Sequence, residues 1–126
     1  PREKISVYRM SGSGDLGYEG GEWHGNNISF YTRSFGDYVL AADTIAPVIR
    51  PINVSSRQLK FVIEDKMSGI KSFEAYVNGE WILMNYDYKW DVIWTNRDDQ
   101  RVPLEGDLKI VVKDNVGNEK VYEGRI

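Results

Sequence analysis

Residues 65–81 read DKMSGIKSFEAYVNGEW, and residues 114–124 read DNVGNEKVYEG. Each stretch opens on an aspartate, reaches a glycine within a few positions, and then alternates apolar with polar side chains. A period of two belongs to a strand, which sends successive side chains to opposite faces of a sheet. Phe73, Ala75 and Val77 therefore share one face, and Glu74, Tyr76 and Asn78 share the other. The same alternation runs through Leu59, Phe61 and Ile63, and again through Leu108, Ile110 and Val112. The chain is rich in Tyr, Trp, Phe, Val and Ile, which suit a pleated, half-buried surface. No convincing helical spacing extends beyond about ten residues. The reading is all-β.

Turn chemistry divides the pattern. Asn78-Gly79 is the pair favoured in two-residue hairpins, because both positions accept positive φ. It should join residues 76–77 to EWILMNYDY at 80–88 as adjacent antiparallel strands. Pro47, Pro51 and Pro103 fall at expected strand starts or edges, where a missing N–H does little harm. From Ala46 onward the expected strands are 47–52, 59–65, 71–78, 80–88, 91–96, 107–114 and 119–125. About seven short strands at such spacing predict an immunoglobulin-like β-sandwich over 44–126, without the cysteine pair of antibody domains.

Residues 1–43 differ. Seven of the chain's 12 glycines lie there, concentrated in SGSGDLGYEGGEWHG. Strands are expected at 4–10, 28–33 and 36–42, too few for a separate sandwich. They read as the end of a preceding β domain or as a small sheet packed on the main one. The boundary is expected in AADTIAP at 41–47, where Pro47 holds Ala46 extended.

Composition excludes several functional classes. With 126 residues the chain has enough surface to bury an ordinary core. A net charge of −3, with signs mixed, argues against a nucleic-acid partner or an anionic membrane surface. The absence of cysteine removes thiol nucleophiles, disulfides and thiolate metal sites. No apolar run approaches the ~18 residues of a membrane span. PREKISVYRM is not a signal peptide, since charges interrupt it at once, so the chain reads as a mature or internal piece of a longer protein.

The candidate sites each have a plainer rival. Asp43, Asp65, Asp114, Asn115 and Asn118 offer the oxygens calcium prefers. Aspartate and asparagine in D-x-x-S-G and D-N-x-G-N also form tight turns by accepting nearby backbone N–H groups. The turn reading is the simpler, and calcium stays as the alternative. His24 is the sole histidine and cannot by itself supply a catalytic zinc set. Ser11-Gly12-Ser13-Gly14 lacks the lysine and helix of a phosphate loop. Asp98 and Asp99, with Glu105 and Asp107 nearby, are paired carboxylates in a solvated, arginine-flanked loop rather than a glycosidase pair. Trp81, Tyr86, Tyr88, Trp90 and Trp94 crowd one span and could stack on sugars, or could pack a core. Trp81 and Trp94 are the expected core anchors, with Phe61, Phe73, Ile63, Val77, Ile110 and Val112. No catalytic residue and no cofactor are expected.

FGDYVLAADTIAPVI, LKFVIEDKMSGIKSFEAYVNGEWILMNYDYK and GDLKIVVKDNVGNEKVYE, over roughly 35–126, together resemble a known region. It is the C-terminal β-sandwich of exported lysostaphin-type zinc metallopeptidases, the peptidoglycan endopeptidases of Gram-negative envelopes. The pieces that carry the resemblance are D-T-x-A-P at 43–47, D-x-x-S-G-I at 65–70, N-G-E-W at 78–81 and D-N-x-G-N at 114–118. The family's zinc motifs, H-x-x-x-D and H-x-H, do not occur: the fourth residue after His24 is Ile28. No catalytic residue carries over. The resemblance implies a non-catalytic accessory module that positions a catalytic domain or docks to envelope components. Its partners would be the adjoining domain and an envelope protein or glycan, in the periplasm or at the cell surface. The rivals are a carbohydrate-binding module using exposed Trp and Tyr rings, a calcium-stiffened adhesin repeat, and an enzyme in its own right.

Overall fold

The computed structural model describes residues 2–96, 98 and 101–126. After a 3-10 turn at Arg2–Lys4 come β1 (Ile5–Met10), β2 (Leu16–Gly20), β3 (Glu22–His24), β4 (Asn27–Ser29) and β5 (Asp37–Ala42). Then follow β6 (Val48–Val54), β7 (Leu59–Glu64), β8 (Ile70–Val77), β9 (Glu80–Ile82) and β10 (Asn85–Asp87). The last strands are β11 (Val92–Trp94), β12 (Asp107–Asp114) and β13 (Glu119–Arg125). Among the described residues no helix is long and apolar enough to cross a membrane.

Two four-stranded antiparallel sheets, ordered β10-β11-β7-β6 and β13-β12-β8-β9, carry the alternating residues. Their inward side chains meet in one cluster. It joins Leu59, Phe61, Ile63 and Ile93 of the first sheet to Ala75, Val77, Ile82, Leu108, Ile110 and Val112 of the second. Successive strand pairs alternate between the layers, the arrangement of an immunoglobulin-like sandwich. A three-stranded sheet, β2-β1-β5, and the β3-β4 hairpin precede it. Pro51 lies in β6, an edge strand, beside a register irregularity that absorbs its missing N–H.

The expected strand at 80–88 is two strands, so the sandwich has eight among the described residues. β9 pairs with β8, while β10 pairs with β11 in the opposite sheet. The chain changes layer at Leu83-Met84, and the buried Ile82 and Met84 keep filling the core across the corner. Nothing in EWILMNYDY announces this, because apolar alternation continues while the hydrogen-bonding partner changes. In the N-terminal part, the expected strand at 28–33 is only β4. Strands β2 and β3 lie within the glycine-rich stretch read as a loop.

Trp81 corrects the expected core. Asn78 and Gly79 both have positive φ, 50° and 80°, and close a two-residue turn. That turn sets Trp81 opposite Tyr76 and Ile82 opposite Ala75. Residues directly opposite share a face, so Ile82 joins Ala75 in the core and Trp81 is 58% exposed on the outside. Trp94 is only half-buried, opposite Lys60, with its Nε1 donating to Asn96 Oδ1 at 3.3 Å. Phe73 is half-buried at the margin of the core, its ring 5.4 Å from that of Tyr86.

Candidate functional site

Each aspartate of the quoted motifs first organises its own turn. Asp65 Oδ1 accepts from the N–H groups of Met67, Ser68 and Gly69 at 3.2, 3.0 and 3.1 Å. Asp114 Oδ1 accepts from Val116 N and Asn118 N at 3.0 and 2.8 Å, and its Oδ2 from Asn118 Nδ2 at 2.8 Å. Asp43 Oδ1 accepts from Ile45 N at 3.1 Å. These are side-chain turns of the kind expected from the sequence.

The turns then knit together. Ser68 donates to Asp43 Oδ2 through both its N–H, at 3.1 Å, and its Oγ, at 2.6 Å. Asn118 Nδ2 also reaches the Asp43 carbonyl at 2.8 Å, and Asn115 Nδ2 reaches the Ser68 carbonyl at 2.8 Å. Asp43 N–H donates to the Lys4 carbonyl, and Lys4 Nζ donates to the Val116 carbonyl at 3.0 Å. The segment after β5, the β7–β8 loop and the β12–β13 loop thus form one corner at the end of the sandwich.

Three carboxylates converge there. One oxygen from each of Asp43, Asp65 and Asp114 lies within 4.8 Å of the others, with Asp43 and Asp114 buried and Asp65 half-buried. Burial, helped by the charge of Asp43, pushes the Asp65 carboxyl up to about 6 against the pull of the Gly69 N–H. Burial also works against the charge on Asp43, but the Ser68 hydroxyl and the Ile45 and Ser68 N–H groups outweigh it and hold that carboxyl below its usual range. Of the two, Asp65 gives up its proton less readily than Asp43.

Tyr8, in the middle of β1, which pairs with β5 just ahead of Asp43, lies close enough to this corner to feel its charges. Its side chain is fully buried, its ring makes an edge contact with Tyr18 at 5.6 Å, and its hydroxyl has no hydrogen-bond partner. Burial above all, followed by Asp43 and then by Tyr18, Asp65 and Asp114, pushes the phenol up to about 12. Neither Tyr8 nor Ser68 was found from sequence. Tyr8 carries no local motif, and Ser68 reads as an ordinary turn residue.

The aromatic candidates do not form one platform. Tyr86 turns inward against Phe73; Tyr88 and Trp90, 82% and 68% exposed, occupy the β10–β11 turn; Trp94 lies on the outer side of the first sheet. Trp81 alone sits on the outer face of β13-β12-β8-β9, where the register sets Trp81, Tyr76, Lys109 and Glu123 in one row across the four strands. The next row holds Glu74, Val111 and Val121. Tyr76 Oη donates to Glu74 Oε2 at 2.5 Å. A shallow groove on this face is lined by Tyr76, Gly79, Asp107, Lys109 and Glu123. Tyr76, Lys109 and Glu123 were missed from sequence, although the parity of the turn at Asn78-Gly79 already points them outward with Trp81.

The remaining candidates are dispersed. His24 is exposed, with its Nε2 3.9 Å from Glu22. Ser11 to Gly14 form the turn between β1 and β2, Ser13 Oγ donating to Asp15 at 3.1 Å. Asp98 and Glu105 are exposed, Asp107 pairs with Arg125 at 3.1 Å, and Asp99 lies outside the described residues.

No protein-family model matches the chain, and no curated protein matches it. Among solved structures, the crystal structure of apo-Clavibacter michiganensis expansin is similar at 20% identity and a TM-score of 0.48. That match covers 97% of this chain and 66% of the expansin chain, just under two thirds of its length. A likeness this distant carries no inference about function.

Proposed function

We propose that this chain is a non-catalytic accessory module of an exported cell-wall peptidase, and that it docks to an envelope glycan through the outer face of β13-β12-β8-β9. The link to a peptidase rests on the motifs at 43–47, 65–70, 78–81 and 114–118, and export to the periplasm or cell surface comes with it. The docking role rests on one observation: an exposed indole, Trp81, in register with Tyr76, Lys109 and Glu123. Leu83 and Val121 are also exposed, and Val121 extends the apolar part of that face. Water meets a large ring there at a cost that a partner's apolar surface would remove. Sugar rings present C–H faces that stack on indole and phenol, and their hydroxyls suit the carboxylates of Asp107 and Glu123 and the ammonium of Lys109. The groove beside Tyr76 gives a polar strand a path along the sheet.

The test is retention of the purified chain on insoluble peptidoglycan, with chitin and cellulose in parallel. Wild type should be retained, and Trp81→Ala should bind about tenfold more weakly, the ~1.4 kcal/mol of one lost stacking contact. Its melting temperature should stay within a degree or two of wild type. Equal retention of wild type and Trp81→Ala on every polysaccharide would sink the glycan-docking reading.

A further inference from the structure

We infer that the corner built by Asp43, Asp65 and Asp114 is a calcium site that locks the N-terminal sheet to the sandwich, with Tyr8 completing the ion's water shell. Turn chemistry accounts for each aspartate alone, but not for their meeting. A turn needs one acceptor oxygen, which an uncharged asparagine also supplies. Aspartate at all three positions puts three carboxyls, two of them buried, into one small volume. Such crowding is unfavourable unless a proton or a cation neutralises it, and one shared proton leaves two charged carboxylates among the three.

No side-chain cation within the chain does so. Among the described residues, no ion pair reaches these three aspartates. Lys4 is committed to the Val116 carbonyl and Arg50 to Glu64 at 2.6 Å, and Lys66, which lines the same depression as Asp43 and Asp65, makes no ion pair with them. The spacing fits calcium: two oxygens each about 2.4 Å from one ion can be up to ~4.8 Å apart. The donors are oxygen only, which suits a hard cation and not zinc or copper.

Tyr8 points to a ligand independently of the cluster. A fully buried phenol without a partner is rare in a folded protein, because its hydroxyl loses water and gains nothing. This one lies in the field of all three carboxylates. A calcium ion that retains a water gives the hydroxyl its missing bond. A surface depression lined by Asp43, Ile45, Asp65 and Met67, with Arg50, Glu64 and Lys66 also on its wall, reaches two of the three carboxylates from solvent. Asp43 follows β5, whereas Asp65 and Asp114 belong to sandwich loops, so one ion would clip the linker to both loops and fix how the two parts sit.

Calcium titration of the whole chain, followed by calorimetry and by melting, tests this. With calcium about a hundredfold above its dissociation constant, the melting temperature should rise by ~5–10 °C over the chelated protein. Asp65→Asn keeps Oδ1 for its turn and should melt near the chelated wild type, without a calcium response. Terbium, a luminescent ion of calcium's size, should be sensitised through tyrosine in wild type and more weakly in Tyr8→Phe. A wild-type melt that calcium leaves unchanged, with no heat of binding, overturns the site without recourse to any variant. So does a rise that sodium chloride of equal ionic strength reproduces, or one that Asp65→Asn retains.

Discussion

Phe61→Ala should unfold at a much lower urea concentration than wild type, with a loss of about 3–5 kcal/mol and an unchanged slope. Phe61 sits in β7, an inner strand, opposite Pro51 on one side and Ile93 on the other. Its side chain is fully buried, and its ring meets that of Tyr122 from the opposing sheet edge-on at 5.0 Å. Removing the ring empties space between two layers whose backbones are fixed by their own ladders. The walls cannot collapse, so the cavity cost adds to the lost transfer energy. Against a total stability of about 5–15 kcal/mol for a domain, this is a large share. Phe61→Leu keeps most of the volume and should lose under ~1.5 kcal/mol. Trp81→Ala deletes a larger ring from an exposed site and should lose less than either. If Phe61→Ala shifted the midpoint no more than Trp81→Ala, the two sheets would not share one core.

That contrast marks where the sequence could be read and where it could not. Period-two runs placed β7, β8, β12 and β13 within a residue or so: β7 and β12 alternate buried and outward residues without a break, β8 does so over its second half, and β13 is bounded by the turn before it. Asn78-Gly79 was equally legible. Trp81 was misplaced because its size argued for burial, while the parity of the turn, available in the same residues, argued against it. The split of 80–88 had no signal: the side-chain pattern persists across a corner where only the hydrogen-bond partner changes. Strand β2 was hidden because Gly17 and Gly20 give no side chain to alternate, and β3 because three residues are too few to show a period.

The acidic corner was half legible. Each aspartate's own turn follows from donors two to four residues on. Their convergence depends on contacts 25, 47 and 75 residues apart in sequence, which no local pattern encodes. Tyr8, in the preceding sheet, had no signal at all. The same reasoning joins the two proposals at the level of geometry. A glycan surface on β13-β12-β8-β9 is useful to a neighbouring domain only if the sandwich holds a fixed orientation, and the corner lies where the N-terminal sheet meets it.

The second large effect belongs to Gly106→Ala. Gly106 has φ +114°, in the region that side chains avoid, and its backbone exchanges hydrogen bonds with Ile126 at 3.2 and 2.8 Å. A Cβ built there would overlap the Asn78 carboxamide. That carboxamide is itself structural: Nδ2 donates to the Glu105 carbonyl at 2.9 Å, and Oδ1 accepts from Asp107 N–H at 2.9 Å. An alanine must therefore bear backbone strain of about 1–3 kcal/mol and also displace a side chain with two hydrogen bonds, each worth about 0.5–1.5 kcal/mol. The expected loss is roughly 2–6 kcal/mol. Asn78→Gly tolerates the turn's positive φ and should lose only the two bonds. In that background Gly106→Ala has nothing left to collide with, and its further cost should shrink to the backbone strain alone. The double variant should thus be more stable than the sum of the singles by about 1–3 kcal/mol. Additivity within ~0.5 kcal/mol would mean that φ alone requires glycine at 106, and that the carboxamide of Asn78 does not hold the hairpin to the 105–107 loop.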